Sequence, residues 1–228
     1  MDSVNDYETV VTVRGRAEHF HPAERAVVHV QVGLEGPERS AVVTATTEGT
    51  AALVAGVRGL REAGPVTWFA SDRLRVWADR PFNDKGEQKP LVHHASTATR
   101  VKFRVDQGAD DMARWVEAAS RHRGVRVDRI EWLLTDATRA GLVGEVRTRA
   151  VADARAKAAT YAGALGLSDL RCTAVADEGM LGDESGSAHP SPAMAASARA
   201  GGGHQGGLSF TPEDITVSAV VDARFVAS

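Results

Sequence analysis

The chain has 228 residues, 43% hydrophobic and 25% charged, and its 27 basic and 30 acidic residues leave a formal net charge of −3. That length buries a sizeable core, and that composition excludes a wholly disordered or fibrous polypeptide. With neither sign of charge in excess along the chain, no footprint for a phosphate backbone is visible, and no nucleic-acid partner is expected.

The first residues, Met1 to Glu8, are acidic and polar, without the basic start and apolar run of an export signal. The single Cys172 has no internal disulfide partner, which suits a reducing compartment. A cytoplasmic location is therefore expected. No uninterrupted apolar run reaches the ~20 residues needed to cross a bilayer, so no membrane insertion is expected.

Strands are predicted over Tyr7 to Val13 and Glu24 to Leu34, where Val28, Val30, Val32 and Leu34 alternate with more polar neighbours at period two. Gly36 and Pro37 open a helix and Gly64 and Pro65 close it, which predicts helix over Pro37 to Ala63. Its apolar stripe is read as Val43, Thr50, Leu53, Val54, Val57 and Leu60, with a possible break at Gly49 among the threonines. Val66 to Trp77 and Leu91 to Val105 form an antiparallel hairpin around a polar loop between Pro81 and Pro90. In its second arm Thr99, Val101, Phe103 and Val105 face one way, and Arg100, Lys102 and Arg104 the other.

A shorter helix is predicted over Ala109 to Arg123, with Met112, Trp115, Val116 and Ala119 inward and Gly124 as its stop. A strand from Val125 to Thr135 follows. From about Gly144 to Leu165 the residues Val146, Ala150, Val151, Ala154, Ala158, Tyr161, Ala162 and Leu165 recur at helical spacing, and the alanines imply close approach to whatever lies beneath. Arg149, Asp153 and Lys157 stand four apart on another face, read as a solvated row of attracting charges. A strand at Leu170 to Ala176 precedes a Gly, Ala, Ser and Pro tract over 179–207, read as a flexible insert. Ile215 to Val226 alternates cleanly and closes the sheet.

The order of elements and several motifs resemble the SIMPL domain family. The most specific match is the helix from Arg147 to Leu167, with an Ala154-Arg-Ala-Lys-Ala158 core ending in Leu165-Gly-Leu167. Val11-Thr-Val-Arg-Gly15, Gly124-Val with Ile130-Glu-Trp-Leu-Leu134, and Thr211 to Val221 add to it. The resemblance implies an α+β fold of largely antiparallel sheets with three helices packed on them. It implies one domain over residues 1–178 and 208–228, interrupted by the insert. It also implies ring-like homo-oligomers in some members, a loose link with stress response, and no family catalytic residues to carry over. Against the family pattern, no export signal of the kind many relatives carry is expected here, and His93-His94 stands where a Gly-Tyr pair is usual.

Candidate chemistry is sparse. Gly201-Gly-Gly-His-Gln-Gly206 satisfies a dinucleotide-binding pattern, yet it lies in a low-complexity tract before a strand, whereas that fingerprint needs a helix N-terminus behind it. His19 and His21 share one face of an extended segment and form a two-imidazole pair with no completing cluster, while His93 and His94 should point to opposite faces. Ser185 and Ser187 lack a nucleophile elbow, and Cys172 is read as a buried structural thiol. The expectation is no enzyme, no catalytic or metal residues and no cofactor. A non-enzymatic homo-oligomeric assembly or interaction module, with a protein partner of unknown identity, is the first reading. A small-ligand or metal-binding domain is the second, with loops around His19 to His21 and Pro81 to Pro90 as its rim.

Overall fold

The computed structural model describes residues 8–181 and 210–228. In chain order it forms β1 (Thr9–Pro22), β2 (Arg25–Gly36), α1 (Arg39–Ala63), β3 (Val66–Ser71), β4 (Arg75–Asp79), β5 (Val92–Arg104), α2 (Asp110–Ser120), β6 (Val125–Leu133), α3 (Asp136–Ala164), β7 (Leu170–Asp177) and β8 (Asp214–Ala227). With three helices and antiparallel sheets, the chain is an α+β protein. Its residues group into two compact units. One comprises Met1–His21, Asp136–Gly203 and Thr216–Ser228, and the other Pro22–Thr135 and His204–Ile215.

In the Pro22–Thr135 unit, the period-two valines of β2 put Val28, Val30 and Val32 in the core, level with Val101, Thr99 and Thr97 of β5. The sheet order is β3-β5-β2-β6 with every neighbouring pair antiparallel, and β4 continues the β3 edge along the other half of β5. Counting β3 and β4 as one interrupted strand, the path is β-α-β-β-α-β, the split arrangement of ferredoxin-like folds. Leu53 and Val57 of α1, and Met112, Trp115 and Val116 of α2, bury against the same sheet face around Phe103. The opposite face carries the polar members of each alternation.

The structure modifies several expectations here. α1 runs unbroken through Gly49, because Thr46, Thr47 and Thr50 return their hydroxyls to the carbonyls four residues back at 2.8–2.9 Å instead of competing with the helix. Gly49 faces Val32, whose methyl would lie 3.3 Å from an added Cβ, so glycine lets the helix settle close to the sheet. The buried residues are Val42, Thr46, Leu53 and Val57: Leu53 and Val57 lie in the expected stripe, while its N-terminal half runs through Val42 and Thr46 in place of Val43 and Thr50. By length and composition α1 could cross a bilayer, but a helix that lays such a stripe on a sheet passes the same test. The predicted Val66 to Trp77 strand is divided into β3 and β4, and α2 ends at Ser120, leaving Arg121 to Arg123 beyond it.

In the other unit, α3 covers the three-stranded sheet β1-β8-β7. It begins at Asp136 rather than Gly144, since Leu142 extends the buried row one turn backwards and Asp136 suits the positive helix start. That row is Leu142, Val146, Ala150, Ala154, Ala158 and Ala162, strictly four apart. Val151, Tyr161 and Leu165, predicted to lie in the stripe, are exposed. A row of alanines one residue wide lets the backbones approach so closely that side chains beside it are left outside. At its end Gly166, at φ 76°, donates to Gly163 O, and Leu167 N donates to Ala162 O at 2.9 Å, the paired bonds of a Schellman stop. The Leu-Gly-Leu ending of the helix motif is this cap. Of the predicted insert, residues 182–207 lie outside the described residues.

Candidate functional site

The most specific sequence motif, in α3, meets the supporting Val11 to Gly15 match in the α3-covered unit. Gly15, in the middle of β1, lies against α3 so closely that a Cβ there would stand 2.0 Å from Ala150 O and 2.7 Å from Ala154 N. On either side of this contact, the helix grips the strand by its backbone. The Asp153 carboxylate accepts the Arg16 N–H at 2.8 Å, and Lys157 Nζ donates to Arg14 O at 3.0 Å. Lys157 also donates to Asp153 at 2.6 Å, which closes the ring of partners.

Across the sheet, the Arg14 guanidinium donates Nε to Asp222 of β8 at 2.8 Å and a second N–H to Glu178 at 2.8 Å. Asp222 also accepts the Gly179 N–H at 2.7 Å. One arginine thus ties β1 to β8 and to the turn that follows β7. The hydrogen bond from Arg14 holds the Asp222 carboxyl below the usual carboxylate range, and the same contact raises Arg14. The hydrogen bond from Lys157, then that from the Arg16 amide, lowers Asp153. Each shift deepens a charge state the group already holds at neutral pH, whereas a general acid or base must be brought towards neutrality. Beside the clamp Thr12, Arg14, Arg16, Lys157 and Tyr161 line an open cleft of about 410 Å³.

Arg149, Asp153 and Lys157 form the solvated, attracting row expected, with a further role that the spacing does not reveal. Asp153 and Lys157 hold the neighbouring strand, and Arg149 turns to Glu145 at 3.6 Å. The sequence signal was present in Gly15 and the alanine row, whose combination permits backbone contact, but the strand was not assigned to that helix. Cys172 is likewise not buried. It lies on the edge strand β7, where the pairing with β8 shifts register between Cys172 and Ala174 and turns the thiol outward.

The histidine pairs behave differently from one another. His19 and His21 share a strand face, ring centroids 6.3 Å apart, with His19 Nδ1 3.5 Å from Glu145. In the sheet of the second unit, His94 stacks on Trp77 at 5.0 Å with Nε2 3.1 Å from Asp79 and Nδ1 3.3 Å from Glu35. The two carboxylates flank opposite ring nitrogens and do not converge, and strand alternation sends His93 to the other face. Among the described residues no group of three or more His, Cys, Asp or Glu is placed to hold a metal ion. Ser185, Ser187 and Gly201 to Gly206 lie outside the described residues.

One unit with a helix clamped through its own charged side chains onto the backbone of a glycine-bearing strand, and another with a ferredoxin-like sheet, define an α+β protein. The chain belongs to the SIMPL family, described as a protein of unknown function (DUF541), whose family model matches residues 11–225. Comparison with curated proteins gives no match.

Proposed function

We propose that this chain is a non-enzymatic module that assembles with copies of itself. The observation that carries this reading is the concentration of apolar surface on one stretch of the Pro22–Thr135 unit. Trp68, Leu74, Trp77, Phe82 and Leu91, on or beside β3, β4 and the loop before β5, are each more than a third exposed. Large apolar side chains grouped this way mark an interaction surface, because water is the less favourable neighbour by ~25 cal/mol per Å². Among the described residues the same strands form a sheet edge with unpaired backbone groups. An edge with an apolar rim is self-complementary about a two-fold axis, which favours a second copy as the partner. The ionisation shifts around Arg14 and Asp153 support the non-catalytic half of the reading.

Sedimentation velocity of the full chain across micromolar concentrations tests it. A concentration-dependent oligomer is expected, and Phe82→Asp with Leu91→Asp should shift it towards monomer while leaving the circular dichroism spectrum unchanged. A strict monomer at every concentration sinks the reading.

A further inference from the structure

The face of the five-stranded sheet that α1 and α2 leave uncovered collects cations that the sequence scatters. Cross-strand register sets Trp68 of β3 beside Lys102 of β5, Arg100 of β5 beside His29 of β2, and His29 beside Arg129 of β6. The strip crosses the sheet over roughly 14 Å, three strand spacings. At one end Trp68 is 40% exposed, with the Arg100 guanidinium lying over one face of its ring, 5.6 Å from the centroid.

Carboxylates stand beside the strip at its end and at its centre. Arg100 reaches Asp72, just past the end of β3, at 3.6 Å, and Glu131 lies 3.5 Å from His29 Nε2. Lys102 and Arg129 have no ion pair among the described residues. His29 Nε2 is cut off from solvent and has no hydrogen-bond partner. The strip is therefore locally cationic on a chain whose net charge is −3.

We propose that this face binds single-stranded nucleic acid, with a base stacked on Trp68 and backbone phosphates met by Arg100, Lys102 and Arg129. A flat indole bordered by cations matches a ligand that alternates planar rings with phosphates. A duplex hides its base faces and cannot use the indole. An acidic peptide would satisfy the cations and leave the indole without a planar partner. A second copy placed face to face would set like charges against each other. The even charge balance of the whole chain speaks to average attraction, whereas a ligand meets one face. Trp68 also belongs to the apolar surface proposed for self-association, so a copy seated over β3 would compete with this ligand, and the chain carrying Phe82→Asp with Leu91→Asp, held monomeric, should still bind oligouridine.

The test is fluorescence anisotropy of a labelled oligouridine with the full chain at low salt, alongside a DNA duplex, heparin and polyglutamate. Oligouridine should bind more tightly than the other three and quench tryptophan emission. Trp68→Ala should weaken it about 5- to 150-fold, the range expected for loss of one stacked base. Trp68→Phe should keep most of the affinity, and Lys102→Gln should make the salt slope shallower by about 0.7. Circular dichroism of each variant identifies any that fails to fold, in which case Trp68→Phe and Lys102→Gln decide. No binding at low salt overturns the proposal, as does heparin or polyglutamate binding as tightly, or indifference to Trp68.

Discussion

Replacing Gly15 by alanine adds one methyl group where three atoms of α3 already stand. The new Cβ would lie 2.0 Å from Ala150 O, 2.7 Å from Ala154 N and 2.8 Å from Ala154 Cβ. Two of these are helix backbone and the third is fixed to it, so no flexible side chain can swing aside. Ordinary contact needs about 3.5 Å or more between such atoms, so strand and helix must separate by over an ångström, loosening the Asp153 and Lys157 bonds to Arg16 and Arg14. Overpacking of this kind costs about 1–3 kcal/mol, and the rigidity of the obstacle places Gly15→Ala at the upper end. For a chain of this size that lowers Tm by roughly 6–12 °C. Differential scanning calorimetry measures it, with Gly56→Ala as control. Gly56 lies inside α1 with nothing within 4 Å of an added Cβ, so that change should stabilise by about 0.5–1 kcal/mol. A Gly15→Ala protein as stable as the parent would refute the close contact between β1 and α3.

Phe103→Ala removes a fully buried ring that packs on Trp115 at 5.3 Å and should destabilise by about 3–5 kcal/mol in urea unfolding; a loss below 1 kcal/mol would place the core elsewhere. Asp153 and Asp222 titrate below the ordinary carboxyl range in the folded chain, so the unfolded chain binds more protons as pH falls. Their contribution is complete above that range and disappears as pH drops through the depressed values, below about pH 4, and Asp222→Asn should flatten the acid limb of a stability–pH curve. Cys172 should react with a thiol reagent in the native protein at a rate close to that of the unfolded chain; strong native protection would contradict its exposed place on β7.

Much of the fold is legible from local pattern. The alternation in β2, β5 and β8 assigns their buried faces because side chains in a strand point to opposite sides, and the glycines at Gly64 and Gly166 end α1 and α3 in left-handed turns. The motif from Arg147 to Leu167 carries the most specific part of the resemblance to the family, whose model matches residues 11–225. Legibility fails where the outcome depends on a distant partner. The N-terminal half of the α1 stripe shifts to Val42 and Thr46 because Gly49 and Thr46 fit against the sheet, and that fit is invisible from propensity. Asp153 and Lys157 read as a surface pair because their other partners, the backbone groups of Arg16 and Arg14, lie far away in the sequence.

By itself the sequence determined the type and order of most elements, which side of most of them is apolar, and the resemblance to the family. Tertiary structure alone decided that β2 lies between β5 and β6, that Gly15 touches α3, and that Trp68, Arg100 and Arg129 share a face. The reason is physical: periodicity records how each segment divides its own side chains between core and water, while neighbour order and backbone separation emerge only when segments pack together.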